Sequence, residues 1–239
     1  METTTTKGKL YLIPTTLGDN EPLEVLPISI KQTIESVNHY IVENEKTARR
    51  FIKKINPRKS QQNLEINLLN KFTEPHEIPN FLEPCLNGIN IGVLSEAGCP
   101  GIADPGADVV KIAHEKNIQV VPLVGPSSIL LALMASGFNG QNFAFNGYLP
   151  IDNSERKKTL KGLEKKSREL KQSQIFIETP YRNDKMFQEL TKTLTENAYL
   201  CIACDITLPT EYIATKKISD WKRTKLDLHK RPTIFIIQA

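Results

Sequence analysis

The chain has 239 residues, enough for one large core or two compact ones, and two of about half the length each are expected. Hydrophobic residues at 39% and charged residues at 24% are the proportions of a globular protein and exclude a disordered or fibrous chain. The formal charge of +4 is modest, but it is gathered: Lys46 to Lys59 carries seven basic residues and no acid, and Arg156 to Lys171 carries eight with two acids.

In chain order, "KLYLIP" (9–14) reads as a strand, "ISIKQTIESV" (28–37) as an amphipathic helix and "HYIVE" (39–43) as a second strand. "KTARRFIKKI" (46–55) is a helix with Ala48, Phe51, Ile52 and Ile55 on one stripe. After a polar and then proline-rich stretch, "INIGVLS" (89–95) is predicted as the third strand. Asp104 followed by Pro105 predicts an N-cap opening a helix to about Lys116. "IQVVPLV" (118–124) is the fourth strand, and "PSSILLALMASG" (126–137) is a helix closed by Gly137. Such alternation predicts an α/β domain with a mostly parallel sheet, which binds ligands at the carboxyl ends of its strands.

Further on, "NFAFNGYLP", "SQIFIET", "AYLCIACDIT" and "RPTIFIIQA" read as strands, "TEYIATKKI" is strand-like, and helices are expected over the basic segment after Pro150 and over "NDKMFQELTKTL". Strands outnumber the helices available to cross over, so this sheet is expected to be mixed. The predicted fold is therefore two-lobed α/β: an N-terminal mostly parallel domain over 1–125 and a C-terminal mixed-sheet α+β domain over 126–239.

No apolar run approaches the roughly 20 residues of a membrane helix, and Thr3 to Thr6 is a polar tail without a signal-peptide core. A cytoplasmic protein with no membrane partner is expected, and four cysteines in a chain this long suit a reducing compartment. Cys201 and Cys204 spell CxxC inside a predicted strand, where residues three apart face opposite ways. The histidines His39, His76, His114 and His229 are scattered, so no metal is expected. The basic clusters are equally compatible with solvated helix faces and with a polyanionic partner such as RNA.

Three turns rich in glycine and proline follow strands of the first domain: "PTTLGDN", "SEAGCPG" and "VGPSS". On a parallel sheet they share one edge, where glycine lets a ligand approach the main chain and proline holds the turn. Neither GxxxxGK[ST] nor GxGxxG is present, which disfavours a P-loop enzyme and a standard dinucleotide fold.

In order and spacing, "LYLIPTTLGD", "SEAGCPGIADPGADVV", "VVPLVGPSSILLALMASGF", "FNGYLP", "IFIETPYR" and "PTIFII" resemble the tetrapyrrole methylase superfamily of S-adenosylmethionine-dependent methyltransferases. Within it they are most similar to the small-subunit rRNA (cytidine-2'-O-)methyltransferase I group, over about Leu10 to Ile237. The resemblance implies a bilobal homodimer with S-adenosylmethionine in the cleft between the lobes. It assigns Pro14, Ser95, Glu96, Ala97, Gly98, Ile102, Pro126 and Ser127 to the donor pocket, with Phe145, Pro232 and Thr233 closing from the second lobe. Asp104 is expected to cap its helix rather than touch ligand.

This sequence departs from the group's pattern on the acceptor side: "ENEKT" keeps Glu43 but carries Asn44 and Lys46, the acid after Ser95 is Glu96, and "CDITLPTE" and "RPT" are unusual starts. A ribose hydroxyl needs its proton drawn away during transfer. Glu43, Glu96 and Glu178 are candidate bases, with Arg182 beside them; Arg182 and Arg156 are candidate phosphate contacts, and Tyr148 and Tyr181 candidate base-stacking groups. The implied partner is small-subunit rRNA or the 30S particle. Methylation of a small molecule such as a tetrapyrrole, and a non-catalytic donor-binding regulatory or assembly role, stand as alternatives.

Overall fold

The computed structural model describes residues 6–239, so most of the threonine tail lies outside the described residues. The chain forms two units, one ending at Ser127 and the other starting at Ser128.

The first unit runs β1 (Lys9–Ile13), α1 (Pro22–Val25), α2 (Ile28–Ser36), β2 (His39–Val42), α3 (Glu45–Ile55), β3 (Glu65–Leu68), α4 (Ile78–Phe81), α5 (Glu83–Leu86), β4 (Ile91–Leu94), α6 (Gly106–Glu115) and β5 (Gln119–Pro122). All five strands pair in parallel, in the order β3-β2-β4-β1-β5. β4 is buried along its whole length because it lies between β1 and β2 with apolar clusters on both faces of the sheet. One cluster holds Ile30, Ile34, Tyr40 and Ile52; the other holds Ile41, Leu82, Val93 and Val109. Gly92 is required in β4, since a Cβ there would meet Ile13 Cδ1 at 2.7 Å and the Tyr40 ring at 3.0 Å.

Strand β3 is absent from the sequence-based expectation, which read "LEINL" as part of a polar stretch. It is a four-residue edge strand, paired only with β2 on one side; Ile66 and Leu68 do alternate with Glu65 and Asn67, but the pattern has the shortest length that signals a strand and sits inside a polar stretch. The helix expected from Asp104 begins at Gly106, but Asp104 still serves it: its Oδ1 accepts from the Gly106 N–H at 2.7 Å and from the Gly101 N–H at 2.8 Å.

The second unit runs α7 (Ser128–Ser136), β6 (Phe143–Tyr148), α8 (Asn153–Leu170), β7 (Ser173–Ile177), a 3-10 turn (Pro180–Arg182), α9 (Asn183–Thr193), β8 (Tyr199–Cys204), β9 (Tyr212–Lys217), α10 (Ile218–Trp221) and β10 (Thr233–Gln238). Its sheet has the order β6-β7-β10-β8-β9, with β6 and β7 parallel and the remaining pairs antiparallel. The mixed sheet follows from connectivity: α8 carries the chain across from β6 to a parallel β7, while later strands return beside their neighbours in the opposite sense. Phe176, Phe235, Trp221 and Leu190 centre its core, and the Trp221 indole N–H donates to the Leu200 carbonyl at 2.8 Å. Gly137 ends α7 at φ +74°. Cys201 and Cys204 are free and fully buried in β8, and burial pushes both thiols above their ordinary range.

Candidate functional site

Because β1, β4 and β5 are adjacent and parallel, the loops that follow them emerge on one edge of the first sheet. The loops are tied together. The Thr15 N–H donates to the Gly98 carbonyl at 3.0 Å, the Ser95 hydroxyl donates to the same carbonyl at 2.9 Å, and Cys99 Sγ lies 3.4 Å from the Pro126 carbonyl. Gly98 has φ +75°, and a Cβ there would lie 3.1 Å from Leu17 Cδ2 and 3.2 Å from the Pro126 carbonyl oxygen. At Gly125 an added Cβ would collide with the Pro14 ring. Gly98 is held to glycine by its positive φ and close neighbours, and Gly125 by the Pro14 ring, so neither position has room for a side chain.

Of the residues expected at the donor, Pro14, Ser95 and Gly98 are buried supports, while Glu96, Ala97 and Ile102 are exposed at the same loop; Pro126 and Ser127 are partly buried at the end of the β5 loop. The loops form a rigid glycine-dependent cradle with open residues beside it.

Carboxylates gather next to that loop. Glu43, at the end of β2, accepts from the Glu96 N–H at 3.3 Å, and Glu96 Oε1 accepts from the Thr47 hydroxyl at 2.6 Å. Burial raises the Glu43 pKa; the Glu96 N–H opposes the rise, and the Asp104 and Glu96 charges add to it. Asn44, a departure from the group's acidic pattern, is the N-cap of α3, its Oδ1 accepting from the N–H groups of Lys46 at 2.9 Å and Thr47 at 3.3 Å. A cavity of about 340 Å³ opens beside Glu96, between the loop after β1 and α3. Thr47, Arg50 and Lys54 line it, three residues that sequence reasoning did not single out, although their spacing puts them on one helix face, away from the buried Ile52 and Ile55.

In the second unit, Glu178 is buried and its Oε1 accepts from Arg182 Nη2 and from the Thr179 N–H, each at 2.6 Å. Arg182 Nε and Asn183 Oδ1 are buried without a partner. Tyr181 is 70% exposed, with His229 edge-on to it and Lys230 Nζ 5.8 Å from its ring centre. Tyr148 is also exposed, on β6. Phe145 is partly buried on the same strand, Pro232 is exposed, and Thr233 is buried with its hydroxyl donating to the Arg231 carbonyl at 3.0 Å. The unusual Asp205 has its own partner, Arg231 Nε at 2.8 Å.

The expected phosphate contact by Arg156 needs correction. Its side chain is 3% exposed, it pairs with Glu189 at 2.6 Å, and it donates to the carbonyls of Pro150 and Ile151 and to Asn153 Oδ1. That guanidinium ties the start of α8 to α9, and exposing it to a phosphate would leave the partly buried Glu189 carboxylate unpaired. Sequence alone shows a basic cluster without showing which member turns inward.

No family model matches the chain. The ribosomal RNA small subunit methyltransferase I of Buchnera aphidicola subsp. Schizaphis graminum is 32% identical to it over 233 residues, which cover 96% of this chain and 78% of that protein. Among solved structures, the methyltransferase CobJ superposes with a TM-score of 0.65 at 14% identity, covering 97% of this chain and 94% of the other. Uroporphyrin-III C-methyltransferase from Thermus thermophilus, complexed with S-adenyl homocysteine, gives 0.58 at 13%, covering 97% of each. These two likenesses establish the fold. With the identity to the Buchnera protein spread over nearly the entire length, the chain belongs to the family of ribosomal RNA small subunit methyltransferase I.

Proposed function

We propose that the protein transfers a methyl group from S-adenosylmethionine to the ribose 2'-hydroxyl of a cytidine in small-subunit rRNA. The observation that carries this reading is the 32% identity to the Buchnera methyltransferase across 96% of the chain. The glycine-dependent cradle formed by the loops after β1, β4 and β5 supports it. In that cradle Pro14, Ser95, Glu96, Ala97, Gly98, Ile102, Pro126 and Ser127 hold the donor.

Bound S-adenosylmethionine supplies an electrophilic methyl carbon on a sulfonium, so its carbon–sulfur bond breaks as a carbon–oxygen bond forms and a neutral thioether leaves. The chain's own work is alignment, exclusion of water and removal of the hydroxyl proton. Glu43 is the favoured proton acceptor. Its pKa is raised, which makes its carboxylate a better base than an ordinary one, and the Glu96 N–H orients it. Glu178 serves Arg182 instead, at 2.6 Å. Arg182, Tyr181 and Tyr148 are then acceptor-side contacts, with Tyr181 able to stack a splayed base.

The protein is further read as a cytoplasmic homodimer. Among the described residues no helix is long and apolar enough to cross a membrane, and α7 exposes Leu130 and Met134, a face suited to a second copy. Radiolabelled methyl transfer to 30S particles from a strain lacking this protein, followed by mapping of the labelled nucleotide, tests the reading. Label on one cytidine ribose is the expected result; label on a porphyrinoid and none on rRNA overturns it.

A further inference from the structure

The cavity beside Glu96 shares only Ser95 and Glu96 with the proposed donor residues. Its other walls come from the loop after β1 and from α3, with Pro22 of α1 and Leu94 of β4, and its chemistry is graded along the helix. At one end Thr47 holds the Glu96 carboxylate at 2.6 Å. One turn further along α3, about 4.5 Å up the axis, stands Arg50. Among the described residues the exposed Arg50 guanidinium closes no salt bridge, although Asp19 on the same cavity wall lies within reach of its charge; Asp19 is held by Lys54 at 2.9 Å, with Glu21 3.7 Å from the same amine. Leu17 and the ring of Phe51 give the cavity an apolar wall. A volume of about 340 Å³ lies within the range of small-ligand sites.

A hydroxyl-accepting carboxylate at the donor-loop end, an apolar wall and an open guanidinium at the far end match one ligand class. That class is a nucleotide, with its sugar hydroxyls, base and phosphate presented in turn. A simple anion uses only Arg50 and has no use for Glu96, and an uncharged sugar has no use for Arg50. We propose that this cavity is a subsite for one nucleotide of the acceptor RNA, its phosphate on Arg50 and its sugar directed toward Glu96. The assignment rests on the rRNA reading above. It places the acceptor side on α3, where this sequence departs from the group's motif, with Arg50 as the phosphate contact.

Arg50 is exposed, so Arg50→Ala is expected to fold, which thermal unfolding checks. The test compares wild type, R50A and R50K in methyl transfer to unmethylated 30S particles at several salt concentrations, with S-adenosylmethionine binding followed by calorimetry. For R50A the expected result is a KM for particles raised roughly tenfold and a slope of log(kcat/KM) against log[salt] shallower by about one. R50K is expected to retain the slope while losing part of the affinity, because lysine keeps the charge but not the fork. Donor affinity is expected to stay unchanged in both. Unaltered KM and salt slope in R50A, with an active wild type, overturn the subsite alone; a parallel loss of donor affinity also overturns it, assigning the cavity to the donor. A wild type that methylates no rRNA overturns the rRNA reading and the subsite together.

Discussion

Gly98 and Glu43 show how single residues set this site. With φ at +75° and neighbours at 3.1 and 3.2 Å, Gly98 has neither the conformational nor the spatial freedom for a side chain. Gly98→Ala is expected to cost the loop about 1–2 kcal/mol, read by calorimetry as roughly tenfold weaker S-adenosylmethionine binding. Glu43 makes a pH-dependent prediction. Its folded pKa is raised, so its contribution to stability is complete below the ordinary carboxylate value and is lost as pH rises through the folded value. Glu43→Gln stays neutral and escapes that loss. Urea midpoints of the variant relative to wild type should therefore climb as pH rises above the ordinary carboxylate value, while kcat for methyl transfer falls; a flat difference would remove the burial argument.

At the scale of elements, α3 and α8 are basic helices with different tasks. Asn44 caps α3 with two hydrogen bonds, and Asn44→Ala should destabilise the first unit by about 1 kcal/mol, measured by chemical denaturation. In α8, Arg156 is a buried tie, whereas Lys157, Lys158, Lys161, Lys165 and Lys166 are exposed. Removing the outward charges in Lys157→Ala/Lys158→Ala is expected to leave stability unchanged and to lower particle affinity mainly at low salt. Arg156→Ala should instead cost on the order of 3 kcal/mol by stranding Glu189, with thermal unfolding as the readout.

For the whole molecule, the expected consequences are ligand-linked stability and association. S-adenosylmethionine at a hundred times its dissociation constant should add about 2.7 kcal/mol to the unfolding free energy, detected as a rise in Tm that the free amino acid methionine does not reproduce. Sedimentation of the purified protein should report twice the chain's 26.9 kDa, and Met134→Glu should shift it toward a single copy. A chain that sediments singly at micromolar concentration would refute the second part and leave the first standing.

The parallel alternation of the first unit and the mixed sheet of the second were legible because hydrophobic period and glycine and proline punctuation are local properties. β3 was not: its alternation of Glu65, Ile66, Asn67 and Leu68 is only four residues long, and an edge strand with one partner adds no longer apolar run to mark it. By itself the sequence determined the order of the longer elements, the glycine-dependent loops and the family motifs, all of which neighbouring residues encode. Only tertiary structure decided that Arg156 turns inward while Arg50 stays open, that Glu43 meets Glu96 fifty-three residues away, and that Thr47 joins them. Those outcomes depend on which strands lie side by side, and contacts across a sheet leave no trace in local spacing.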